Sequence, residues 1–485
     1  MSETVNAGAT PTPEQPIEYF AKRRKIYPRA IFGFFRRLKW GVMALCLALY
    51  YFAPFIRWDR GPHAPDQAIL IDMVGRRAYF FFIEIWPQEV YYFTAVLILA
   101  AYMMFFATSL FGRVWCGYFC FQTVWTDLFI WVEKVVQGDR AERMRLDEAP
   151  WSLRKFAKKL ITHLAWIGIG LLTGGAFVLY FNDAPTLVHQ LLTGTLSPTV
   201  TIFILGLTCS TYVMAGLARE QVCTFMCPYA RFQSAMFDED SLIIAYDKVR
   251  GEPRGKHKKG ESWDGKGHCI DCTQCVQVCP TGIDIRDGLQ VQCIACGLCV
   301  DACNSVMEKM ELPLGLIRYD TERNMSVEKK GQVYSHAPKL RLLRPRTIMY
   351  TIVLCILLGV VGTSLAMRSM LELHVLHDRN PLFVSLSDGS VRNGYQINIL
   401  NKALENHDYR LSVTGIDGAR LDIRSVGDEH NDLLHAPANN TSEYRVFVIA
   451  PPQKEEHQEI EFVLTPEDGS APVTHKSIFM GPEEE

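Results

Sequence analysis

Of the fifteen cysteines in this 485-residue sequence, twelve stand at spacings that chemistry rather than packing would require. Eight form two copies of C-x₂-C-x₂-C-x₃-C, in CIDCTQCVQVCP at 269–280 and CIACGLCVDACN at 293–304. This is the bacterial ferredoxin spacing for [4Fe–4S] clusters, in which the fourth cysteine of each run serves the other cluster. Three closely spaced thiolates wrap three corners of a cube, and the remaining corner is reached from the far run. One cluster is therefore assigned to Cys269, Cys272, Cys275 and Cys303, the other to Cys293, Cys296, Cys299 and Cys279. Asn304 stands where the first run has Pro280, a departure that touches a turn and not a ligand. A zinc site would more usually present its cysteines in pairs, and a disulfide framework belongs to an oxidising compartment.

Four further cysteines form two C-x₃-C pairs, Cys116/Cys120 in WCGYFCF and Cys223/Cys227 in VCTFMC. On a helix the i,i+4 spacing puts both sulfurs on one face, about a turn apart. Each pair follows an apolar run of membrane length, so if those two runs pack together the four thiols converge. Soft thiolates select Cu(I), zinc or iron–sulfur centres over hard ions. Arg113 and Arg219, just ahead of each pair, would favour the thiolate. Packing cysteines at helix ends are the alternative, and spacing alone does not say what is bound. Cys46, Cys209 and Cys355 lie inside apolar runs and read as small buried hydrophobes.

The elements that must position these thiols are five apolar segments long enough to cross a bilayer: roughly 40–55, 90–111, 160–181, 199–217 and 348–367. Basic residues orient them. AKRRKIYPRAIFGFFRRLK before the first span carries eight Lys and Arg, the loop 112–159 nine, and 218–347 nineteen. The loop 182–198 carries none and 57–89 only four. The N-terminus and both cysteine-bearing regions are thus expected in the cytoplasm, with the C-terminal region outside. No cleavable signal sequence is read in the first forty residues, and the opening MSETVNAGATPTPEQP reads as disordered. A net charge of −2 gives no sign of a nucleic-acid partner.

Between the first cysteine pair and the third span, aromatic and basic residues interleave near helical spacing. The expectation is amphipathic surface helices broken near Gly138 and Pro150, anchored at the membrane interface. GEPRGKHKKGESWDGKGH reads as a charged, solvated linker. His163 in the third span reads as a structural histidine, with a metal or haem ligand as the other possibility. Met103, Met104, Met214 and Met226 are candidate thioether ligands for Cu(I), though Met in apolar spans is more often filler. After the last span the pattern becomes alternating: YQINIL, YRLSVTG, ARLDIR, YRVFVIA, IEFVLT and THKSIFM predict an Ig-like antiparallel β-sandwich without cysteine.

These residues resemble a known family. FFIEIWPQEVYYF, GRVWCGYFCFQTVWTD, GDRAERMRLDEAPWSLRK, AREQVCTFMCPYARFQSAMFDEDSL, CPTGIDIRDGLQVQCIACGLCVDACN and DRNPLFVSLSDGSVRNGYQINILNK are similar to segments of the cytochrome c oxidase accessory proteins of the CcoG/FixG/RdxA type. These are membrane-bound polyferredoxins of bacteria, and the resemblance runs along nearly the whole chain after residue 30. It implies a role in assembling cbb₃-type haem–copper oxidases and in reducing Cu(II) to Cu(I) for them. It also implies that copper is bound or reduced at Cys116, Cys120, Cys223 and Cys227. Related polyferredoxins often carry proline after both membrane-edge pairs. Pro228 keeps that pattern, but Phe121 does not, which puts the backbone path after Cys120 in doubt.

The expected organisation is a multi-domain membrane protein. A cytoplasmic tail at 1–38 precedes an α-helical bundle of four spans at 39–218. A cytoplasmic dicluster ferredoxin domain follows at 219–347, then the fifth span at 348–368 and a periplasmic Ig-like domain at 369–485. The expected setting is the bacterial inner membrane. The expected function is a membrane iron–sulfur electron-transfer protein and cupric reductase with two [4Fe–4S] clusters and copper as substrate or bound ion. Its expected partners are membrane lipid, a cytoplasmic electron donor, and an oxidase subunit or a copper chaperone or transporter. Two other readings stay open: electron exchange with a quinone or other membrane carrier, and a non-enzymatic assembly scaffold whose clusters sense redox state.

Overall fold

A computed structural model describes residues 25–328 and 341–482, apart from 63, 259, 261–262, 264, 404, 425–432, 453–455 and 468–470. The opening tail, whose disorder the sequence suggests, lies outside the described residues. Among the described residues five helices are long and apolar enough to cross a membrane: Phe34–Phe55, Pro87–Phe111, Leu153–Val178, Pro198–Ala218 and Pro345–Ala366. The first begins six residues and the third seven residues earlier than hydropathy indicates. Phe34–Phe52 is one continuous helix that carries Arg36, Arg37 and Lys39 within its first turns. Leu153–Val178 likewise carries Arg154, Lys155, Lys158 and Lys159 on its opening turns. Hydropathy marks where a helix becomes apolar, and a helix can start well before that point.

By its internal contacts the chain divides into two compact units, and every span contributes to both. One unit comprises residues up to 47 together with 103–174 and 202–349. Its amphipathic helices are Phe121–Gln137 and Arg140–Glu148, separated at Gly138 and ending before Pro150 as the sequence suggests. The cluster segment is framed by the antiparallel pair Leu242–Tyr246 and Ile317–Thr321, which closes its two ends together. The helix Leu298–Lys309 carries the end of the second cysteine run. Asn304 therefore lies inside a helix rather than in a turn, and its side-chain oxygen accepts a hydrogen bond from Gly315 N at 3.0 Å. Proline at this place would interrupt the helix.

The other unit comprises 48–102, 175–201 and 350–485. Here the alternating segments form two packed antiparallel sheets. One orders Arg420–Arg424, Asn440–Ala450, Val391–Asn401 and Leu371–His377, with Val384–Ser385 as a short fifth strand. The second orders Leu433–Ala436, His407–Thr414, His457–Pro466 and Val473–Met480. Every second residue turns inward, so Tyr395, Ile397, Ile399, Val446, Val448, Phe462 and Leu464 are buried between the sheets. The Tyr395 hydroxyl donates to Ile478 O at 2.8 Å, which keeps this buried polar atom satisfied. Two elements were not foreseen in the short loops of this unit. Residues 57–89 hold the three-stranded sheet Ile69–Asp72, Arg77–Phe80 and Ile83–Ile85. Residues 182–198 hold the helix Ala184–Thr193, capped by the Asp183 carboxylate accepting from Thr186 N.

Candidate functional site

The two cysteine runs take one backbone course twice. The third residue of each run, Asp271 and Ala295, has φ of 51° and 50°, and the fifth, Thr273 and Gly297, has φ of 55° and 75°. Left-handed residues at matched positions bend the two runs in the same way. One small cavity is lined by Cys269, Cys272, Cys275 and Cys303, with Leu316 and Ile317 shielding it. A second is lined by Cys279, Cys293, Cys296 and Cys299, together with Cys275 and the side chains of Ile244, Ile285 and Ile294. Burial pushes the thiols of Cys275, Cys293 and Cys303 up to about 12. An apolar, all-thiol setting of this kind fits iron–sulfur clusters, whose binding displaces the thiol protons.

Two spans deliver the membrane-edge thiols. The helix Tyr91–Phe111 ends at Gly112, whose φ of 58° turns the chain. A side chain on Gly112 would meet Leu242 O at 2.2 Å. A π-helical turn, Trp115–Phe119, follows, closed by Cys120 N donating to Trp115 O at 2.9 Å. On the other side, Pro198–Thr211 continues as a π-helix through Ala218 and breaks at Arg219, a non-glycine residue with φ of 45°. A second π turn, Val222–Met226, is closed by Cys227 N donating to Val222 O at 2.8 Å. Cys120 and Cys227 are both extended, and each immediately precedes a helix, Phe121–Gln137 or Pro228–Ala235.

The expectation of an α-helical i,i+4 pair is therefore corrected. Each pair spans a π turn and the break after it, an irregularity often found where side chains must be re-aimed. Phe121 occupies the first helical position, as Pro228 does. That position tolerates proline because its missing N–H would have no helical acceptor. The backbone after Cys120 follows the same course without proline.

The four thiols are mutual electrostatic neighbours. Burial pushes Cys116 up to about 12 and Cys223 up to about 11, and nearby thiols add to both shifts while Arg113 opposes them. Burial also raises Cys120. Arg219 is engaged by other groups. Its guanidinium bonds the Glu133 carboxylate at 2.5 and 3.1 Å and Gly216 O at 2.7 Å. These bonds hold the strained turn at residue 219. Among the described residues no three His, Cys, Asp or Glu side chains stand in the arrangement of a single metal ion's ligands.

The first thiol turn lies directly on the second cysteine run. Gly117 packs so closely that an added Cβ would meet Ile294 O at 2.7 Å and Ala295 O at 2.9 Å. The Tyr118 hydroxyl donates to Cys296 O at 3.1 Å, and the Tyr319 hydroxyl to Ala295 O at 2.6 Å. Cys116 packs against the buried group that contains Ile294, Cys296 and Leu298. Arg113 is 4% exposed and donates to the carbonyls of Val291, Cys293 and Ala230. It thus ties the first thiol turn to the cluster run and to the helix that follows Cys227.

Sequence reasoning missed Gln233, which is fully buried and accepts a hydrogen bond from Cys116 Sγ at 3.2 Å. Its only sequence signal is its place on the helix that starts at Cys227. His163 is brought to neither centre. Its Nδ1 pairs with the Tyr212 hydroxyl at 2.9 Å and its ring meets Trp166 edge-on. The candidate methionines are not gathered either. Met103 and Met226 are 51% and 60% exposed, and Met214 Sδ lies 3.9 Å from Ser210 Oγ.

Comparison with known proteins decides the family. The FixG nitrogen-fixation protein of Rhizobium meliloti is 45% identical, covering 97% of this chain and 94% of its own length. The chain belongs to the FixG/RdxA/RdxB family. RdxB and RdxA of Cereibacter sphaeroides are 45% and 46% identical, covering 96% and 89% of this chain and 98% and 90% of their own. A family model described as a 4Fe-4S dicluster domain matches residues 218–322. One described as the Ig-like fold at the C-terminus of FixG, putative oxidoreductase, matches 361–482. With five membrane-length helices, the chain is a multi-pass membrane iron–sulfur protein of oxidoreductase character.

Proposed function

We propose that this protein is a membrane cupric reductase that supports assembly of a cbb₃-type cytochrome c oxidase. Copper, the substrate, is taken up as Cu(II) at Cys116, Cys120, Cys223 and Cys227, gains one electron and leaves as Cu(I). The observation that carries this reading is the close packing of Gly117 and Tyr118 on the Cys293–Cys296 loop. It leaves no side-chain layer between the thiol turn and the residues proposed to hold a cluster. Cys269, Cys272, Cys275 and Cys303 would hold one cluster, and Cys279, Cys293, Cys296 and Cys299 the other. When bound, the clusters supply one-electron couples, the only redox chemistry this reduction needs.

The thiols contribute selectivity. Burial raises Cys116, Cys120 and Cys223, binding of a soft ion displaces thiol protons, and sulfur favours Cu(I) over Cu(II) once the electron has arrived. Drawing a copper ion in would bring the thiols closer together, since they do not already form a closed shell. No general acid or base is required.

We place residues 1–38 and the cluster domain, 219–347, in the cytoplasm and 369–485 in the periplasm, with spans at 39–218 and 348–368. The charge bias of the loops supports this sidedness. So does the grouping of the N-terminal residues, the 112–152 loop and the cluster segment in one unit. Electrons would come from a cytoplasmic donor, and Cu(I) would pass to an oxidase subunit or to a copper chaperone or transporter. Copper K-edge X-ray absorption of the reduced protein loaded with one equivalent of Cu(II) tests the site. A Cu(I) edge with sulfur scatterers, lost when the four cysteines become serine, is expected. Copper remaining as Cu(II) with only oxygen and nitrogen neighbours would refute it.

A further inference from the structure

Where the first span begins, a cavity of about 430 Å³ opens between residues 28–33, the helix Phe121–Gln137 and the Val278–Pro280 end of the first cysteine run. Basic side chains on its wall outnumber carboxylates five to two: Arg29, Arg36, Arg37, Lys134 and Arg143 against Asp127 and Asp139. Both carboxylates are engaged. Asp127 pairs with Arg36 at 2.9 Å and with Lys39 at 3.7 Å, and Asp139 accepts from Ala30 N at 3.0 Å. Arg143 is paired with Glu133 at 3.0 Å. Arg29, Arg37 and Lys134 remain, with no carboxylate partner among the described residues. Three cations without a carboxylate, Lys134 among them with its ammonium over the Phe32 ring at 5.3 Å, call for an anion.

The rest of the lining narrows the choice. Trp40, six residues into the first span, meets Trp131 edge-on at 6.0 Å, and Trp131 is 43% exposed. The Arg36 guanidinium covers the Trp40 ring at 4.9 Å, so charge gives way to aromatic surface along the span. Tryptophan at this depth belongs to the membrane–water boundary. A free inorganic phosphate would use the cations and leave the tryptophan pair unoccupied. A phosphate that carries acyl chains uses both, and basic pockets between spans are known settings for anionic lipid headgroups.

We propose that this cavity binds an anionic phospholipid from the leaflet on the cluster side. Arg29, Arg37 and Lys134 hold the headgroup phosphate, and the acyl chains run along Trp40 and Trp131. The wall formed by residues 28–36 is fastened to the cluster segment. Arg29 N donates to Gln277 O at 2.8 Å, and the amides of Phe35 and Arg36 donate to the Asp301 carboxylate at 3.2 and 2.8 Å. Gly33 lies so close to Asp301 that a Cβ would meet its carboxylate carbon at 2.2 Å. A lipid held here touches membrane helix and cluster segment together.

Native mass spectrometry of the detergent-purified full chain, titrated with dioleoyl phosphatidylglycerol or dioleoyl phosphatidylcholine, tests this. Phosphatidylglycerol should bind about ten-fold or more tightly, and the R29Q/R37Q/K134Q variant should lose that preference. R37Q alone should weaken it, with cluster absorbance showing that each variant is folded. Equal binding of the two lipids, or a preference unchanged in both variants, would overturn the proposal. Displacement of phosphatidylglycerol by an equal concentration of inorganic phosphate would overturn it in favour of a free anion.

Discussion

At the residue scale, the glycine and the arginine of GRVWCGYFC are as specific as its cysteines. Gly117 is required for space and not for unusual backbone freedom, because any side chain there runs into the carbonyls of Ile294 and Ala295. Gly117→Ala should destabilise the protein by about 1–3 kcal/mol through overpacking. It should also slow copper reduction by about ten- to a hundred-fold, since small displacements between reacting groups are costly. Iron content, thermal unfolding and the single-turnover rate, measured on one preparation, separate the two effects. An unchanged rate in a folded, fully loaded variant would show that the contact does not set the transfer. Arg113 and Arg219 look alike in sequence, each a cation shortly before a cysteine pair. Arg113 opposes the effect of burial on Cys116 and Cys223. Arg219 is recruited by Glu133, 86 residues away in the chain, and no local spacing reveals that pairing.

At the element scale, what was legible was what is local. The two ferredoxin runs could be read because a cluster demands its thiols at fixed short spacing. Six strands of the sandwich could be read because one buried face imposes a period of two. The π turns were not legible, since a C-x₃-C pair is compatible with an α turn or a π turn and the choice is made by long-range bonds such as those of Arg113. The sheet within 57–89 was missed for a related reason, its strands being only three or four residues long.

One element-scale contact carries a prediction. Lys402, in the loop after Val391–Asn401, is fully buried between Glu89 at 2.7 Å and Glu372 at 2.6 Å, and Arg368 reaches Glu89 at 3.4 Å. These bonds join the sandwich to the ends of two spans within one unit. Lys402→Met leaves Glu89 to Arg368 and Glu372 to His374, at 3.3 Å, and should cost about 1–3 kcal/mol, read as a lower unfolding temperature. Burial raises the Glu372 carboxyl, but the hydrogen bond and charge of Lys402 outweigh burial and leave it below its ordinary value of 4.5. A depressed carboxyl stabilises the fold above the unfolded value, and that contribution is lost as pH falls through the folded one. The wild-type protein should therefore lose stability below about pH 4.5, and Lys402→Met should lose less over that window. Parallel pH profiles of the two proteins would contradict this pairing.

At the scale of the whole molecule, the fold brings a soft-ligand locus at the ends of two spans against one of two repeated cysteine runs. Sequence spacing identified both sets of thiols, yet only the folded chain shows which run the membrane-edge thiols touch. The central claim, that copper is reduced at those thiols, is tested most directly by a single turnover. Fully reduced protein is mixed with excess Cu(II), and the return of cluster absorbance on reoxidation and Cu(I)–chelate formation are followed together. The wild-type chain should yield about two Cu(I), one for each one-electron cluster, with both signals on one time course. The C116S/C120S/C223S/C227S variant should keep its clusters and lose the reaction. The same rate in that variant would contradict the account.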